Sequence, residues 1–243
     1  MPTITDQAIC IRQWDFSETS QTVSLFGRGL GLFRGIAKGS RRPRANFSGG
    51  IDLMTLGDVV AIVKPGRDLA TVTEWGLARV WWGIRRDVRA NRVAYYMAEC
   101  VSRMLDQQDP HPNVFDALVA ALDALDGKAP HEEVLVRFQW SLLVDTGYKP
   151  KLDGIESNQE ETLLFSAREG GLVQGEETPD QWRVRRGTIE TLASLQETGE
   201  LSGHDSRSTW RATRLLAAYM RELLGAEPST MRFVFPDLAG GRV

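Results

Sequence analysis

The side chains best suited to nucleophilic or metal chemistry are scarce: 243 residues contain 3 histidines and 2 cysteines. His111, His131 and His204 each sit in a polar stretch flanked by proline or glycine, which reads as a helix start or a loop. No GxSxG elbow is present, and no serine or cysteine has a partner nearby in sequence, so an active site is not expected. Cys10 and Cys100 lie far apart among apolar neighbours, the pattern of two buried thiols rather than of a disulfide framework or a CxxC knuckle. Without HxxxH or CxxC spacing, neither a metal nor a cofactor is expected. Two glycine motifs fail on inspection. Gly29-x-Gly31 would need glycine where Arg34 stands to make a dinucleotide fingerprint, and in Lys38-Gly39-Ser40 the lysine precedes the glycine, so it is no P-loop.

Cations carry the stronger signal. Thr19 to Ile51 contains no acidic residue, and within it lie Arg28, Arg34, Lys38, Arg41, Arg42 and Arg44. A charge run also fits a plain solvated face, but this one is one-signed, glycine-laced and next to strand-like sequence. Single-stranded nucleic acid is held by a cationic groove tracking phosphates and by flat side chains that stack on bases. Arg34, Lys38, Arg41, Arg42 and Arg44 are therefore candidate DNA contacts, and Arg41-Arg42-Pro43-Arg44 is short and stiffened by its proline. Phe33 and Phe47 fit either a stacking platform or the core. A second set, Arg207, Arg211 and Arg214 with Arg221, recurs on one face of an expected helix. It reads as a solvated face or as a dock for an acidic peptide or DNA. The net charge of −3 hides an uneven split: residues 1–100 carry 14 Lys/Arg against 9 Asp/Glu, and the remainder is acidic.

The elements that must position these groups change character along the chain. Ala8–Ile11, Thr22–Phe26, Leu30–Ala37, Ile51–Met54, Val59–Val63 and Leu69–Thr73 read as short strands, with Pro65-Gly66 turning between the last two. Five or six strands in so short a span suit a closed barrel of the oligonucleotide-binding (OB) type. Beyond Glu74 the period becomes helical: one series from Ile84 to Leu105, then Val114–Leu125 and Val134–Leu143. Residues 150–177 read as irregular. Thr178-Pro179-Asp180-Gln181 has the form of a capping box opening a helix at 179–198, and a last helix is expected at 207–224. The expectation is an α+β protein, an OB barrel over residues 1–80 and a mainly helical domain over 81–243 with an irregular insertion. No apolar run spans a membrane, and the amino terminus lacks signal-peptide features, so a cytoplasmic protein is expected.

The residues also carry a resemblance. Ile11-Arg12-x-Trp14-x-Phe16-Ser17-Glu18-Thr19-Ser20, then Gly31-x-x-Arg34-Gly35-Ile36-Ala37-Lys38-Gly39-Ser40-Arg41-Arg42, resembles the opening of the bacterial recombination mediator family RecO. Asp109-Pro110-His111-Pro112-Asn113, Gly147-Tyr148-Lys149-Pro150-Lys151-Leu152-Asp153 and Phe165-Ser166-x-Arg168-Glu169-Gly170-Gly171 continue it in order. The resemblance implies a non-enzymatic DNA repair and recombination mediator with an OB fold. It implies binding of single- and double-stranded DNA, annealing of complementary strands, work with RecR in loading RecA, and a site near the nucleoid. It further implies a helical domain that docks the acidic carboxyl-terminal tail of the single-strand binding protein. Arg137, beside Phe138 and Trp140, is the carry-over for that tail. Many relatives hold zinc with four cysteines in the insertion; the matching positions here, near Ile155, Asn158, Gln174 and Glu177, offer none, so no zinc is implied. The alternative is a generic OB-fold single-strand binder without annealing.

Overall fold

The computed structural model describes residues 3–43, 45–63, 69–153, 160–201, 203 and 205–238. They form two compact units, 1–126 and 127–243. The first three helices fall in the same unit as the strands that precede them.

Unit 1 begins with five strands, β1 (Thr3–Asp15), β2 (Gln21–Gly27), β3 (Gly31–Ala37), β4 (Thr55–Ile62) and β5 (Leu69–Val80). They close a barrel in the order β1-β2-β3-β5-β4, all neighbours antiparallel except β3 and β5. Closure depends on the length of β1 and on its bulge between Cys10 and Arg12. The first half of β1 pairs with β4 and the second with β2, and the extra residue bends the strand from one neighbour to the other. Inward positions alternate along the strands: Ala8 and Cys10, Val23 and Leu25, Phe33, Val59 and Ala61, Val72 and Trp75 form the core. Glycine is required at position 57, where the Trp75 ring lies across the strand, because a Cβ there would lie 2.5 Å from the indole.

Two departures from the sequence reading lie here. Ile51–Met54 is a turn rather than a strand. Met54 has φ +51°, Leu53 N–H bonds the Asp52 carboxylate at 2.8 Å, and Ile51 is turned into the barrel end. The helical series from Ile84 is two helices, α1 (Trp82–Arg86) and α2 (Val88–Met104), because the Asp87 carboxylate caps α2 by accepting from Arg89 and Ala90 N–H. α3 (Pro112–Asp126) completes the unit. Phe26 on the outside of β2 meets Phe115 of α3 with ring centroids 5.7 Å apart, and Arg28 pairs with Asp116 through two bonds of 2.8 and 2.9 Å. At the far end of α3, Asp123 accepts from the Trp81 indole at 2.6 Å and Asp126 from Gly83 N–H at 2.6 Å. The Pro65-Gly66 turn lies outside the described residues.

Unit 2 contains α4 (His131–Asp145), β6 (Thr162–Ser166), β7 (Gly171–Val173), β8 (Gln181–Arg185), α5 (Arg186–Thr198), α6 (Ser206–Leu224) and α7 (Met231–Val234). The stretch expected to be irregular contributes two strands of an antiparallel sheet ordered β7-β6-β8. The capping box is half formed. Gln181 Oε1 accepts from Thr178 N–H at 3.1 Å, as the box requires, yet Gln181 N–H closes a turn on Thr178 C=O and the chain continues into β8. Pairing with β6 decides the outcome, and the helix begins only at Arg186. Packing of α4 on α6 and of Phe165 edge-on to Tyr219, at 5.5 Å, forms the core. Among the described residues, no helix is long and apolar enough to cross a membrane.

Candidate nucleic-acid interface

The barrel places a cationic and aromatic row on its outer surface. Arg12 of β1 stands opposite Ser24 of β2, and Ser24 opposite Arg34 of β3, so two exposed guanidiniums flank one small residue on a single face. The next row pairs Trp14 with Thr22 and Ile36. Trp14 is 45% exposed, Phe16 just beyond it is 64% exposed, and the Arg34 guanidinium lies 5.9 Å from the Trp14 ring centroid. Indole and guanidinium both offer flat faces to bases. Strand alternation was the available signal: Arg12-x-Trp14-x-Phe16 repeats at period two, so the three share a face. Phe33 and Phe47, which the sequence left between a stacking platform and the core, are core residues, 2% and 4% exposed.

The loop after β3 extends this face and is held at both ends. Gly39 N–H bonds Ser20 Oγ at 3.0 Å, Arg41 N–H bonds Thr19 C=O at 3.1 Å, and Trp75 N–H bonds Asn46 C=O at 2.8 Å. Phe47 and Ile51 plug the barrel end. Buried Gln21 ties the parts together: its Nε2 donates to Gln13 Oε1 and Ile51 C=O, and its Oε1 accepts from Ser40 Oγ and Ile51 N–H, at 2.6 to 3.0 Å. Between these anchors Lys38, Arg41 and Arg42 are exposed, with Arg41 in an ion pair of 2.5 Å with Asp15. Arg44 lies outside the described residues. Anchoring lowers the entropy lost when the loop meets a ligand. Arg28, part of the same charge run, is committed to Asp116, whose carboxyl the bidentate guanidinium holds below its ordinary range.

In unit 2 the sequence candidates separate. Phe138 and Trp140 are 1% and 8% exposed, packed in the core, and so cannot wall an open pocket; α4 turns them inward and leaves Arg137 outside. Arg137 donates to the Gly199 carbonyl at the end of α5, which satisfies one of that helix's last acceptors. Arg211 and Arg214 instead line a cleft of about 210 Å³ with Arg183, Arg185, Val184 and Leu215. Glu177 pairs closely with Arg183, and Glu161 lies 3.6 Å from Arg185, whereas Arg211 and Arg214 have no carboxylate partner among the described residues. Arg207 is exposed one turn earlier on α6 and does not line the cleft. The cleft combines an apolar floor with uncompensated positive charge. Of the insertion positions that the resemblance matches to zinc ligands, Ile155 and Asn158 lie outside the described residues, while Gln174 and Glu177 are exposed.

The chain is also similar to known proteins along nearly its whole length. Residues 1–81 match the family model described as Recombination protein O N terminal, and residues 85–232 that described as Recombination protein O C terminal. A DNA repair protein RecO from Rhodopirellula baltica is 32% identical over 196 residues, covering 78% of this chain and 73% of the relative. Proteins of that name from Anaeromyxobacter dehalogenans and Bacillus cereus are 28% and 27% identical over 237 and 239 residues. Each of these alignments takes in more than nine-tenths of both chains. With two adjoining models spanning nearly every residue and relatives matched end to end, the chain belongs to the recombination protein O (RecO) family.

Proposed function

We propose that the chain is a non-enzymatic DNA repair and recombination mediator that binds single- and double-stranded DNA on the barrel face and anneals complementary strands. The observation that carries the reading is the continuity of Arg12, Trp14 and Arg34 with the anchored loop bearing Lys38, Arg41, Arg42 and Arg44. Phosphates meet the cations and bases stack on the flat groups, so binding is independent of sequence. The unit 2 cleft supports docking of an acidic, apolar-ended peptide, the chemistry of the single-strand binding protein's carboxyl-terminal tail. Charge-assisted bonds from Arg211 and Arg214 are about twice as strong as neutral ones. Arg207 adds charge at the rim, and Arg137 is the competing dock. Family membership supports RecR as a partner in loading RecA, and a cytoplasmic place at the nucleoid. A generic single-strand binder shares the barrel face but has no use for the second cleft.

Titration of labelled single-stranded DNA across salt concentrations tests the first part. Alanine at Arg41, Arg42 and Arg44 should weaken binding to every sequence and flatten the log–log salt slope by about 2, at roughly 0.7 per phosphate contact. An unchanged slope overturns the barrel-face assignment. Annealing of complementary strands coated with single-strand binding protein separates mediator from generic binder: the mediator accelerates it, the binder does not.

A further inference from the structure

Beside the anchored loop, at the end of the barrel, lies a second cleft that shares only Arg41 with the phosphate-binding reading. Its volume is about 350 Å³, and it is lined by Gln13, Arg41, Gly49, Leu77, Trp82 and Arg85 among others. That is the small end of the roughly 300–1,000 Å³ of small-molecule sites, room for a nucleoside-sized group. Three observations define what it would accept. First, the tandem Trp81-Trp82 is split by α1: Trp81 is 2% exposed with its indole bound to Asp123, whereas Trp82 is 58% exposed and meets the cleft. Leu77 beside it is 45% exposed, so two large apolar surfaces face one opening. Second, Trp82 is backed by a fixed partner. The Arg85 guanidinium lies 5.6 Å from its ring centroid and is itself held by the Asp52 carboxylate at 2.7 Å and the Leu53 carbonyl at 3.1 Å. Third, the cleft's charges are already balanced. Beside Trp82, Arg85 is paired with Asp52, so a phosphate gains little there, while a flat neutral ring loses nothing. Arg41 at the rim holds only a solvent-exposed Asp15, which a phosphate can replace.

We infer that this cleft is a nucleobase pocket, in which one base of a bound single strand stacks on Trp82 while its flanking phosphates run over the Lys38–Arg42 loop. The inference rests on the single-strand reading above and adds a site to it. Arg41 belongs to both surfaces, so a strand on the loop arrives at the rim of the cleft. At the opposite wall Gly49 has open space where a Cβ would stand, which lets a ring approach the backbone. Gln13, whose Oε1 is engaged by Gln21, has its amide nitrogen left to donate to a base carbonyl. Stacking against tryptophan tolerates any base.

The test compares Trp82→Ala, Trp82→Phe and the parent on two strands of about 20 nucleotides: oligothymidylate and an abasic strand with the same phosphates. Trp82→Ala should lose about tenfold in affinity for oligothymidylate and nothing for the abasic strand, with the salt slope unchanged, because stacking releases no counterions. Trp82→Phe should recover most of the loss. Thermal melting of each variant establishes that the barrel is intact, which the exposure of Trp82 favours. Equal affinity of Trp82→Ala and parent for oligothymidylate, while the Arg41/Arg42/Arg44 variant still flattens the slope, overturns the base pocket and leaves the phosphate site standing. Equal losses on both strands overturn it as well, since only a structural role would do that. Failure of the parent to bind either strand overturns the single-strand reading and this inference with it.

Discussion

Gln21 shows how one buried amide holds the cationic loop after β3. Both its donors and both acceptor positions on its oxygen are used, the full capacity of the group. Gln21→Ala leaves the Ser40 hydroxyl and both peptide groups of Ile51 without these partners. Unpaired buried polar groups cost about 1–3 kcal/mol each, so urea denaturation should show a loss of about 3 kcal/mol or more. A change under about 0.5 kcal/mol would mean the loop is held by Phe47 and Ile51 alone. The cysteines make a separate case. Burial is the main cause that pushes each thiol up to about 12, with Asp52 adding to it at Cys10 and Glu99 at Cys100. Neither should react with a disulfide reagent at pH 8 until urea unfolds the chain. The unfolded thiols ionise near pH 8.5 and the folded ones only near 12. Stability should therefore be insensitive to these groups below about pH 8.5 and fall as pH rises from there towards 12. A native protein labelled within minutes at pH 8 would contradict their burial.

At the scale of elements, the insertion is the part most changed by its neighbours. Its strands pair in the register Phe165 with Leu172 and Trp182, and the Phe165 and Trp182 rings stack at 5.8 Å. Strand pairing and aromatic packing thus hold this segment together. Structural zinc needs about four thiolate or imidazole ligands, and among the described residues no three His, Cys, Asp or Glu side chains are grouped to hold a metal. Elemental analysis should find no stoichiometric zinc, and a chelator should leave Tm unchanged; one zinc per chain would reverse this. Arg137 has an element-scale role too. α5 ends at the left-handed Gly199, and Arg137 takes up that residue's carbonyl, so Arg137→Ala should lower stability by about 1 kcal/mol whatever it does to peptide binding. Anisotropy with an acidic tail peptide distinguishes the docks: Arg211→Ala and Arg214→Ala should weaken it severalfold, and Arg137→Ala hardly at all.

For the whole molecule, the two clefts sit on separate units, and their chemistry is separable. The cationic run from Thr19 to Ile51, which has no acidic residue, lies wholly in the first unit, so DNA affinity should be set there. Arg211→Ala with Arg214→Ala should leave bare-strand affinity within about twofold of the parent and slow annealing only on coated strands. The Arg41/Arg42/Arg44 substitutions should do the reverse, sparing peptide binding. Losses in the combined variant should add in free energy within about 0.5 kcal/mol, as expected for sites without shared partners. A larger departure measured on bare DNA would show that the unit 2 arginines contact the strand.

Much of this was legible from residue order alone. The one-signed run from Thr19 to Ile51, the strand alternation around Val23, Leu25 and Phe33, and the helical series of α3, α4 and α6 are local patterns, and local patterns survive in sequence. The cations of the loop were visible for the same reason. What the sequence left open were matters decided by distant partners. Phe33 and Phe47 became core because the closed barrel needs inward bulk, while Trp14 was left outside by the pairing of β1 with β2. Thr178–Gln181 carries a helix-start signature, yet a strand forms there because β6 offers a partner. Arg28 looks like its neighbours in the charge run and is neutralised by Asp116, 88 residues away. Arg211 and Arg214 share a helix face with Arg207, but only the approach of β8 makes a cleft of the first two. Residue type and spacing determine which groups are available; which of them face a ligand, a core or an opposite charge is settled only when tertiary contacts compete for them.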